Sequence, residues 1–184
     1  MRPEKIEFIN FIKEEVYGNN RLNSLQKFQR RHITPNTNFV FLARKMWMHK
    51  KIGGGYNSLL SKLYYMRIYR KYGCCVFPDA TIDIGFKIPH PVGIVIGRCN
   101  VGKNFTVLQG TTIGEKNIGE WDVDHTSMPM IGDDVTLAAN VCVLGKVKIG
   151  NNILIGANSV VCNDILEQGN WVGSPARRIL KKEK

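Results

Sequence analysis

The stretch Met130–Val161 (MIGDDVTLAANVCVLGKVKIGNNILIGANSVV) decides the fold, because its aliphatic side chains recur at every sixth position. The positions counted in this way are Ile131, Leu137, Val143, Ile149, Ile155 and Val161. An α-helix has about 3.6 residues per turn and cannot gather every sixth side chain on one face. A β-helix with three short strands per turn can, because each sixth side chain then points into the prism. The stretch therefore predicts a parallel β-helix.

Two shorter runs with the same period precede this stretch. One run consists of Val95, Val101, Val107 and Ile113, and an earlier run of Val76, Ile82 and Ile88 lies one residue out of phase with it. Three such hexads make a coil of about 18 residues. Residues 76–166 are therefore expected to form about five coils.

Two irregular segments interrupt the register, and both are candidate site elements. One extra residue is needed around His90–Gly93, and the polar stretch Glu115–Pro129 is too irregular to form a coil. Insertions in solenoid proteins become loops on one face, often the face that binds a ligand. The histidine in the first segment, His90, is either a satisfied core imidazole or a group that the scaffold presents to a substrate.

The N-terminal region has a different period. Apolar residues at helical spacing predict helices over Pro3–Gly18, Asn23–His32, Asn36–Lys51 and Tyr56–Gly73. The last helix carries an apolar stripe, which is typical of core packing. The residues of this stripe are Leu59, Leu60, Leu63, Met66 and Tyr69. The expected organisation is a basic helical region at 1–72 and a β-helix domain at 73–184, with an extruded loop at 115–129 and a C-terminal tail.

The net charge of +11 lies entirely in the helical region. Residues 1–72 contain 15 Lys/Arg and 4 Asp/Glu, whereas residues 73–184 contain 11 of each. The surplus forms either a solvated basic face or a contact with an anionic surface, such as a membrane leaflet or a lipid-linked phosphate. No nucleic-acid-binding motif accompanies the charge, so a nucleic-acid partner is not expected.

The composition favours a cytoplasmic protein. No apolar run is long enough to span a bilayer as a helix. The N-terminal MRPEKIEFINFIKEE carries acids where a signal peptide is apolar. The five cysteines have no metal-ligand spacing and are interpreted as reduced thiols. If the basic region contacts anionic lipid, the protein lies peripherally at the inner membrane face.

Four motifs resemble a known family. HPVGIVIG (His90–Gly97), VLQGTTIG (Val107–Gly114), IGANSVV (Ile155–Val161) and VGSPARRI (Val172–Ile179) together resemble the serine acetyltransferase-like branch of the left-handed β-helix acyltransferases. The resemblance implies a left-handed coil, a homotrimer with sites between subunits, and acetyl-CoA as co-substrate. It also implies that His90 is the catalytic base, since an imidazole can accept a hydroxyl proton near neutral pH.

The sequence departs from serine acetyltransferases at positions that bear on the acceptor. Those enzymes have Asp before the catalytic histidine and an acidic partner upstream, where this chain has Pro89 and Cys75. Their loop reads RHP, whereas this loop reads DHTSMP, and no Arg lies between Arg98 and Arg177. Lys116 is the candidate replacement for the missing cation. The departures are closer to the colanic acid-type, exopolysaccharide acetyltransferases and predict a saccharide hydroxyl as acceptor.

The extruded loop carries the candidate acceptor-binding residues. Trp121 either stacks on a sugar ring or pins the loop. Asp122 and Asp124 are either substrate-binding or imidazole-orienting acids, or solvated loop acids. His125 is either a second site histidine or a loop residue without a role.

The donor site is implied by motif position. In the family the pantetheine arm lies along the coils, which implicates Ala139 and Ala157, although both are equally what a tight corner needs. The CoA phosphates require cations, and Arg177, Arg178 and Lys182 follow at the C-terminal end. The alternative for these three is a solvated tail.

These observations predict an acetyl-CoA-dependent O-acetyltransferase acting on a saccharide in capsule or exopolysaccharide assembly, with His90 as general base. Serine O-acetyltransferase of cysteine biosynthesis is the alternative, and a non-catalytic scaffold that binds CoA is a further one. A metal enzyme resembling the γ-type carbonic anhydrases is not expected. Its zinc site needs three histidines, and the coil region has only His90 and His125.

Overall fold

The computed structural model describes residues 2–114 and 128–179 of the chain. Helices occupy the N-terminal region, as the apolar spacing predicts. They are α1 (Pro3–Phe11), which continues into a π-helical turn (Ile12–Val16), α2 (Ser24–His32), α3 (Pro35–Ile52) and α4 (Gly55–Tyr72). None of the described helices is both long and apolar enough to cross a membrane.

Local sequence explains where these helices begin and end. Asn23 and Gln26 form a capping box at the start of α2, which satisfies two backbone donors of the first turn. Gly53 and Gly54 separate α3 from α4 with positive φ angles of 71° and 80°. Gly73 ends α4 in the left-handed conformation that glycine adopts without strain.

Short strands follow α4 and wind into a left-handed parallel β-helix. The described strands are β1 (Cys75–Val76), β2 (Thr81–Ile82), β3 (Val95–Ile96), β4 (Asn100–Val101), β5 (Thr106–Val107), β6 (Thr112–Gly114), β7 (Met130–Ile131), β8 (Thr136–Leu137), β9 (Cys142–Leu144), β10 (Lys148–Ile149), β11 (Ile153–Ile155), β12 (Val160–Val161), β13 (Gly169–Val172) and β14 (Arg177–Arg178).

Three sheets form the walls of the prism. Sheet A has the order β1-β3-β6-β9-β12, sheet B the order β2-β4-β7-β10, and sheet C the order β5-β8-β11-β13-β14. All neighbours are parallel except β13 and β14, which form an antiparallel pair at the end of sheet C. The six aliphatic residues of the deciding stretch are all buried inside the prism, which confirms the sixfold period.

One inward position was predicted wrongly. Ile96 rather than Val95 points into the core, because Val76 pairs with Ile96 and Ile96 pairs with Ile113 in sheet A. Successive inward residues of this sheet are therefore twenty and then seventeen residues apart. The His90 segment holds two extra residues, and the next corner, before Val101, is one residue short.

A buried ion pair within the helical region stabilises the contact between that region and the first coil. The Arg44 Nε donates to Glu15 Oε2 at 2.7 Å, and the two side chains are 3% and 1% exposed. The same guanidinium donates to the backbone oxygens of Ile82 and Asp83. The other carboxylate oxygen of Glu15 accepts from the backbone N–H of Gly85, at 2.9 Å, and from that of the next residue. Each charge is thus satisfied by several partners, which a buried pair requires.

Four of the five residues in the apolar stripe of α4 are not core residues, and the fifth, Leu60, is half-buried. Leu59, Leu63, Met66 and Tyr69 are exposed, by 38% to 56%. The buried face of α4 instead carries Ser61 and Ile68, and the Ser61 hydroxyl donates to the Met46 carbonyl of α3. The Ser61 contact fixes which face of α4 meets α3, and the larger apolar side chains consequently lie on the opposite face.

Candidate active site on one corner of the β-helix

His90 lies on the irregular segment between sheet C and sheet A. Its side chain is exposed, so it is not a core histidine. The Val92 N–H donates to the His90 carbonyl at 2.9 Å, and the Gly110 N–H of the next coil donates to the Val92 carbonyl at 3.0 Å. The two extra residues of this coil thus form a tight, anchored turn that carries the imidazole outside the prism wall.

The same corner continues through the later coils as one line of residues, here called the corner row. It consists of His90–Gly93, Gln109–Gly110, Ala139–Asn140, Ala157–Asn158 and Gly173. The Asn140 N–H donates to the Gln109 carbonyl, and the Asn158 N–H donates to the Ala139 carbonyl, each at 2.9 Å. His90, Ala139 and Ala157, predicted from separate motifs, therefore share one edge. At 4.7–4.9 Å per coil, about 14 Å separates the coil of His90 from that of Ala157.

Buried polar groups hold the corner row in place. The Thr111 hydroxyl donates to the Ala138 carbonyl, and the Ser159 hydroxyl accepts from the Gly173 N–H. Asn140 and Asn158 have φ angles of 59°, a conformation that Asn tolerates better than most residues. The Asn140 amide donates to the Asn158 side-chain oxygen at 3.1 Å. The edge is consequently rigid, which a site that aligns two substrates needs.

The structure adds one residue that the sequence analysis missed. Gln109 lies on the corner row next to the His90 turn, and its buried Oε1 has no hydrogen-bond partner among the described residues. Buried polar atoms are nearly always satisfied, so an unpaired one calls for a ligand or water. The signal was present in the VLQGTTIG motif, which had been used only to recognise the family.

Of two predicted phosphate-binding residues on the C-terminal hairpin, one is exposed and the other is held in an ion pair. Arg177 is exposed, and its backbone pairs with that of Val172. Val172 directly precedes Gly173, the last residue of the corner row. Arg178 donates to Glu167 at 2.7 Å and is engaged in that ion pair. Lys182 lies outside the described residues. Arg177 is therefore the described cation best placed for an anion at the end of the row.

The predicted acceptor-binding residues of the extruded loop lie outside the described residues. These are Trp121, Asp122, Asp124 and His125. The chain leaves sheet A after Gly114 and re-enters sheet B at Met130. The roles assigned to the four loop residues stay predictions.

Two buried thiols of the β-helix, Cys74 and Cys99, are not activated. Cys75 lies in β1 opposite Val95, and burial followed by the neighbouring Cys75 raises the pKa of the Tyr65 hydroxyl. Burial also raises the pKa of the Cys74 thiol, and raises that of Cys99 to about 12. Cys74 and Cys99 are therefore protonated core residues, because a nucleophilic cysteine needs a lowered pKa.

Comparison with known proteins identifies the repeat. Residues 128–163 match the family model for the bacterial transferase hexapeptide, six repeats. These residues therefore carry hexapeptide repeats of the bacterial transferase type. The matched residues include β7 to β12, the strands that carry Ala139 and Ala157 on their connecting turns.

Curated relatives of this chain are named serine acetyltransferases. One from Bacillus pumilus is 34% identical over 146 residues, which is 76% of this chain and 64% of the relative. One from Bacillus subtilis is 38% identical over 113 residues, or 61% of this chain and 50% of the relative. The chain thus spans between one half and two thirds of the length of these relatives.

Solved serine acetyltransferases share the fold. The structure from Neisseria gonorrhoeae has a TM-score of 0.73 at 23% identity and covers 98% of this chain and 68% of its own. The soybean apoenzyme has a TM-score of 0.76 at 22% identity, and the match covers 95% of this chain and 69% of the soybean chain. The likeness extends over the N-terminal helices as well as the β-helix.

The predicted saccharide acceptor and the colanic acid-type branch are wrong. The curated relatives, at 34% to 39% identity, are named serine acetyltransferases instead. The prediction rested on residues that are missing here, at Pro89, Cys75 and the loop RHP. A missing residue shows which contact is absent but not which group replaces it, so it was weak support for another acceptor.

Proposed function

We propose that this chain transfers an acetyl group from acetyl-CoA to the hydroxyl of L-serine. The observation that carries the proposal is the corner row, which aligns an exposed imidazole with two small residues, Ala139 and Ala157, on one rigid edge. Relatives named serine acetyltransferases, at 34% to 39% identity, support serine as the acceptor. We place the reaction in the cytoplasm, where both substrates occur.

In this proposal His90 is the general base. Its imidazole accepts the proton of the serine hydroxyl while the serine oxygen attacks the thioester carbon. The carbon–sulfur bond of the tetrahedral intermediate then breaks. The CoA thiolate leaves and accepts the proton from the imidazolium, which returns His90 to its neutral form. The exposed position of His90 in an anchored turn suits this role, because both substrates must reach the ring in a fixed geometry.

The donor arm would lie along the corner row. Ala139 and Ala157 have side chains too small to block an extended chain from reaching the backbone of the edge. Arg177 would meet the CoA phosphates beyond the last coil. Gln109 adjoins the His90 turn through the Gly110–Val92 hydrogen bond, and its half-buried amide would contact the substrates there.

The acceptor contacts must differ from those of serine acetyltransferases that have acids at the positions of Pro89 and Cys75. In the proposal, Asp122 or Asp124 supplies the anion for the serine ammonium, and Lys116 supplies the cation for its carboxylate. His125 and Trp121 complete the loop side of the site.

Release of CoA from acetyl-CoA tests the proposal directly. We expect CoA release to depend on L-serine and to disappear when L-alanine replaces it, because L-alanine differs only by the missing hydroxyl. The free thiol is measured with a chromogenic disulfide reagent against a blank without acceptor. Binding of acetyl-CoA without serine-dependent release would overturn the proposal and favour a non-catalytic CoA-binding scaffold.

We further propose a homotrimer that meets through sheet A. The outward residues of this sheet carry no charge and are half-buried even in one chain. They are Cys75, Val95, Thr112, Cys142 and Val160. The outward row of sheet B, in contrast, includes the exposed Asn100 and Lys148. Apolar area that a monomer leaves accessible is typical of a subunit contact.

Light scattering after size exclusion tests the trimer. We expect a mass of about three times 20.8 kDa for the wild type. Thr112→Arg in sheet A would place a buried charge at the contact and shift the mass to that of one chain. The matched control, Asn100→Arg in sheet B, should leave the trimer intact. A single-chain mass for the wild type would contradict the proposal.

A further inference from the structure

A cavity of about 620 Å³ lies between α1, the turn that follows it, α2 and α3. Of its twelve lining residues, five are cations. They are Lys13, Arg21, Lys27, Arg31 and Lys45, and this group of residues is called the basic cavity below. No carboxylate occurs among the residues described as lining it. None of the lining residues belongs to the corner row.

Aromatic rings form the apolar part of the basic cavity. The Arg31 guanidinium lies over the rings of Tyr17 and Phe41, at 5.2 Å and 5.8 Å from their centroids. The Lys45 ammonium lies 4.8 Å from the centroid of Phe8. The rings hold the cations in position by cation–π contacts, which do not use the N–H donors of these groups.

None of the four acids of the helical region forms an ion pair with these cations among the described residues, and Glu4 and Glu14 form no ion pair there at all. Glu7 pairs with Lys51, and Glu15 is buried against Arg44. Burial, and after it the positive charges of Arg31 and Lys5, lower the pKa of Lys45. Burial and neighbouring positive charge both disfavour the charged form of a lysine, so both act in this direction.

Two polar atoms in the basic cavity also lack partners. The Arg31 Nε and the Tyr17 hydroxyl are buried, and neither has a hydrogen-bond partner among the described residues. Both can donate a hydrogen bond, and guanidinium groups match phosphate oxygens in geometry. The arrangement therefore lacks an acceptor with several oxygens and negative charge.

We propose that the basic cavity binds a phosphate-bearing ligand whose apolar part lies against the rings of Phe8, Tyr17 and Phe41. The phosphate accepts hydrogen bonds from Arg31 and Tyr17 and is neutralised by Lys45 and its neighbours. The volume falls within the range of small-molecule sites. The ligand is distinct from the substrates of the corner row, so the inference does not depend on the acetyl-transfer proposal.

Phosphate chemistry of this kind has two sources in a cell. A soluble phosphate ester fits a half-open cavity of this volume. A phospholipid headgroup is the other source, and the exposed Leu25, Phe28 and Ile33 on and after α2 would then face the acyl region. The two sources are separated by choosing probes of each kind.

Binding measurements on the full chain test the inference. The soluble probes are inorganic pyrophosphate and UDP, measured by titration calorimetry and by the rise in unfolding temperature that a bound ligand causes. The lipid probe is co-sedimentation with phosphatidylglycerol vesicles, with phosphatidylcholine vesicles as the neutral reference. We expect one kind of probe to bind the wild type and to lose at least about tenfold in affinity in the double variant Arg31→Gln, Lys45→Gln.

Further variants distinguish loss of cations in the basic cavity from loss of positive charge elsewhere. The double variant Lys13→Gln, Lys27→Gln removes two cations of the basic cavity whose side chains are exposed. It should also weaken binding, and it replaces the first variant in the test if that one fails to fold. Lys62→Gln with Arg70→Gln removes two exposed cations from α4 and should change affinity by less than about twofold. Arg177→Gln, at the end of the corner row, reports any binding of the same probes at the position proposed for the CoA phosphates.

Each outcome decides the inference. Pyrophosphate or UDP binding that is lost only in the basic-cavity variants identifies a soluble phosphate ligand. Charge-dependent vesicle binding that is lost only in those variants identifies a lipid headgroup. Absence of binding to every probe overturns the inference. Equal losses in the α4 variant, or loss in Arg177→Gln instead, would also overturn it. None of these readouts requires acetyl transfer.

Discussion

Replacing His90 by alanine is expected to lower kcat for serine-dependent CoA release by about 10²- to 10⁴-fold, the usual contribution of a positioned general base. The loss follows from the absence of a proton acceptor at the serine hydroxyl. The KM for acetyl-CoA should change by less than about twofold, because the imidazole acts on the acceptor. Steady-state rates at varied acetyl-CoA separate the two parameters.

The fold should survive this substitution. The His90 side chain is exposed, and the turn is held by backbone hydrogen bonds at Val92 and Gly110 that alanine retains. Val92→Ala, on an exposed side chain of the same turn, serves as the matched control and should keep near-normal kcat. An alanine variant at position 90 with wild-type kcat and wild-type unfolding would show that another group takes the proton.

The second large effect is expected in folding stability. Arg44→Met should lower the free energy of unfolding by about 3–5 kcal/mol, because it leaves the buried carboxylate of Glu15 without its partner. The substitution also removes the donors to the backbone oxygens of Ile82 and Asp83. Urea unfolding at a fixed protein concentration measures the loss.

Two comparisons make this result specific. Lys51→Met breaks the Lys51–Glu7 pair, whose side chains are 60% and 43% exposed, and should cost less than about 1 kcal/mol. Glu15→Gln combined with Arg44→Met removes the unpaired charge and should recover part of the loss. Equal effects of Arg44→Met and Lys51→Met would mean that burial of the first pair has no bearing on stability.

The β-helix was predictable because its signal is local. Every sixth side chain in a coil points inward whatever the rest of the chain does, so Ile131 and its successors could be assigned to the core without a structure. The error at Val95 shows the limit of this reasoning. A net insertion of one residue can arise from two gained in one place and one lost in another, and counting alone does not separate them.

The candidate site was predictable in part. His90 was found because an insertion disturbs the period, and Ala139 and Ala157 because of the motifs around them. Gln109 was missed, since only the hydrogen bonds between coils show that it adjoins the His90 turn and that its Oε1 lacks a partner. The prediction that the apolar stripe of α4 packs in the core is wrong. A helix with apolar residues on two sides does not reveal from its sequence which side meets α3.

The sequence by itself determined the coil period, the inward residues from Ile131 onward, the helices before the coils and the surplus of positive charge. The tertiary structure alone decided how distant groups meet. The Glu15 carboxylate is joined to Arg44 across 29 residues and to the Gly85 backbone across 70. Likewise, the cations of the basic cavity converge only when α1, α2 and α3 dock. Periodicity reports the geometry of neighbouring residues, whereas such encounters depend on the packing of whole elements.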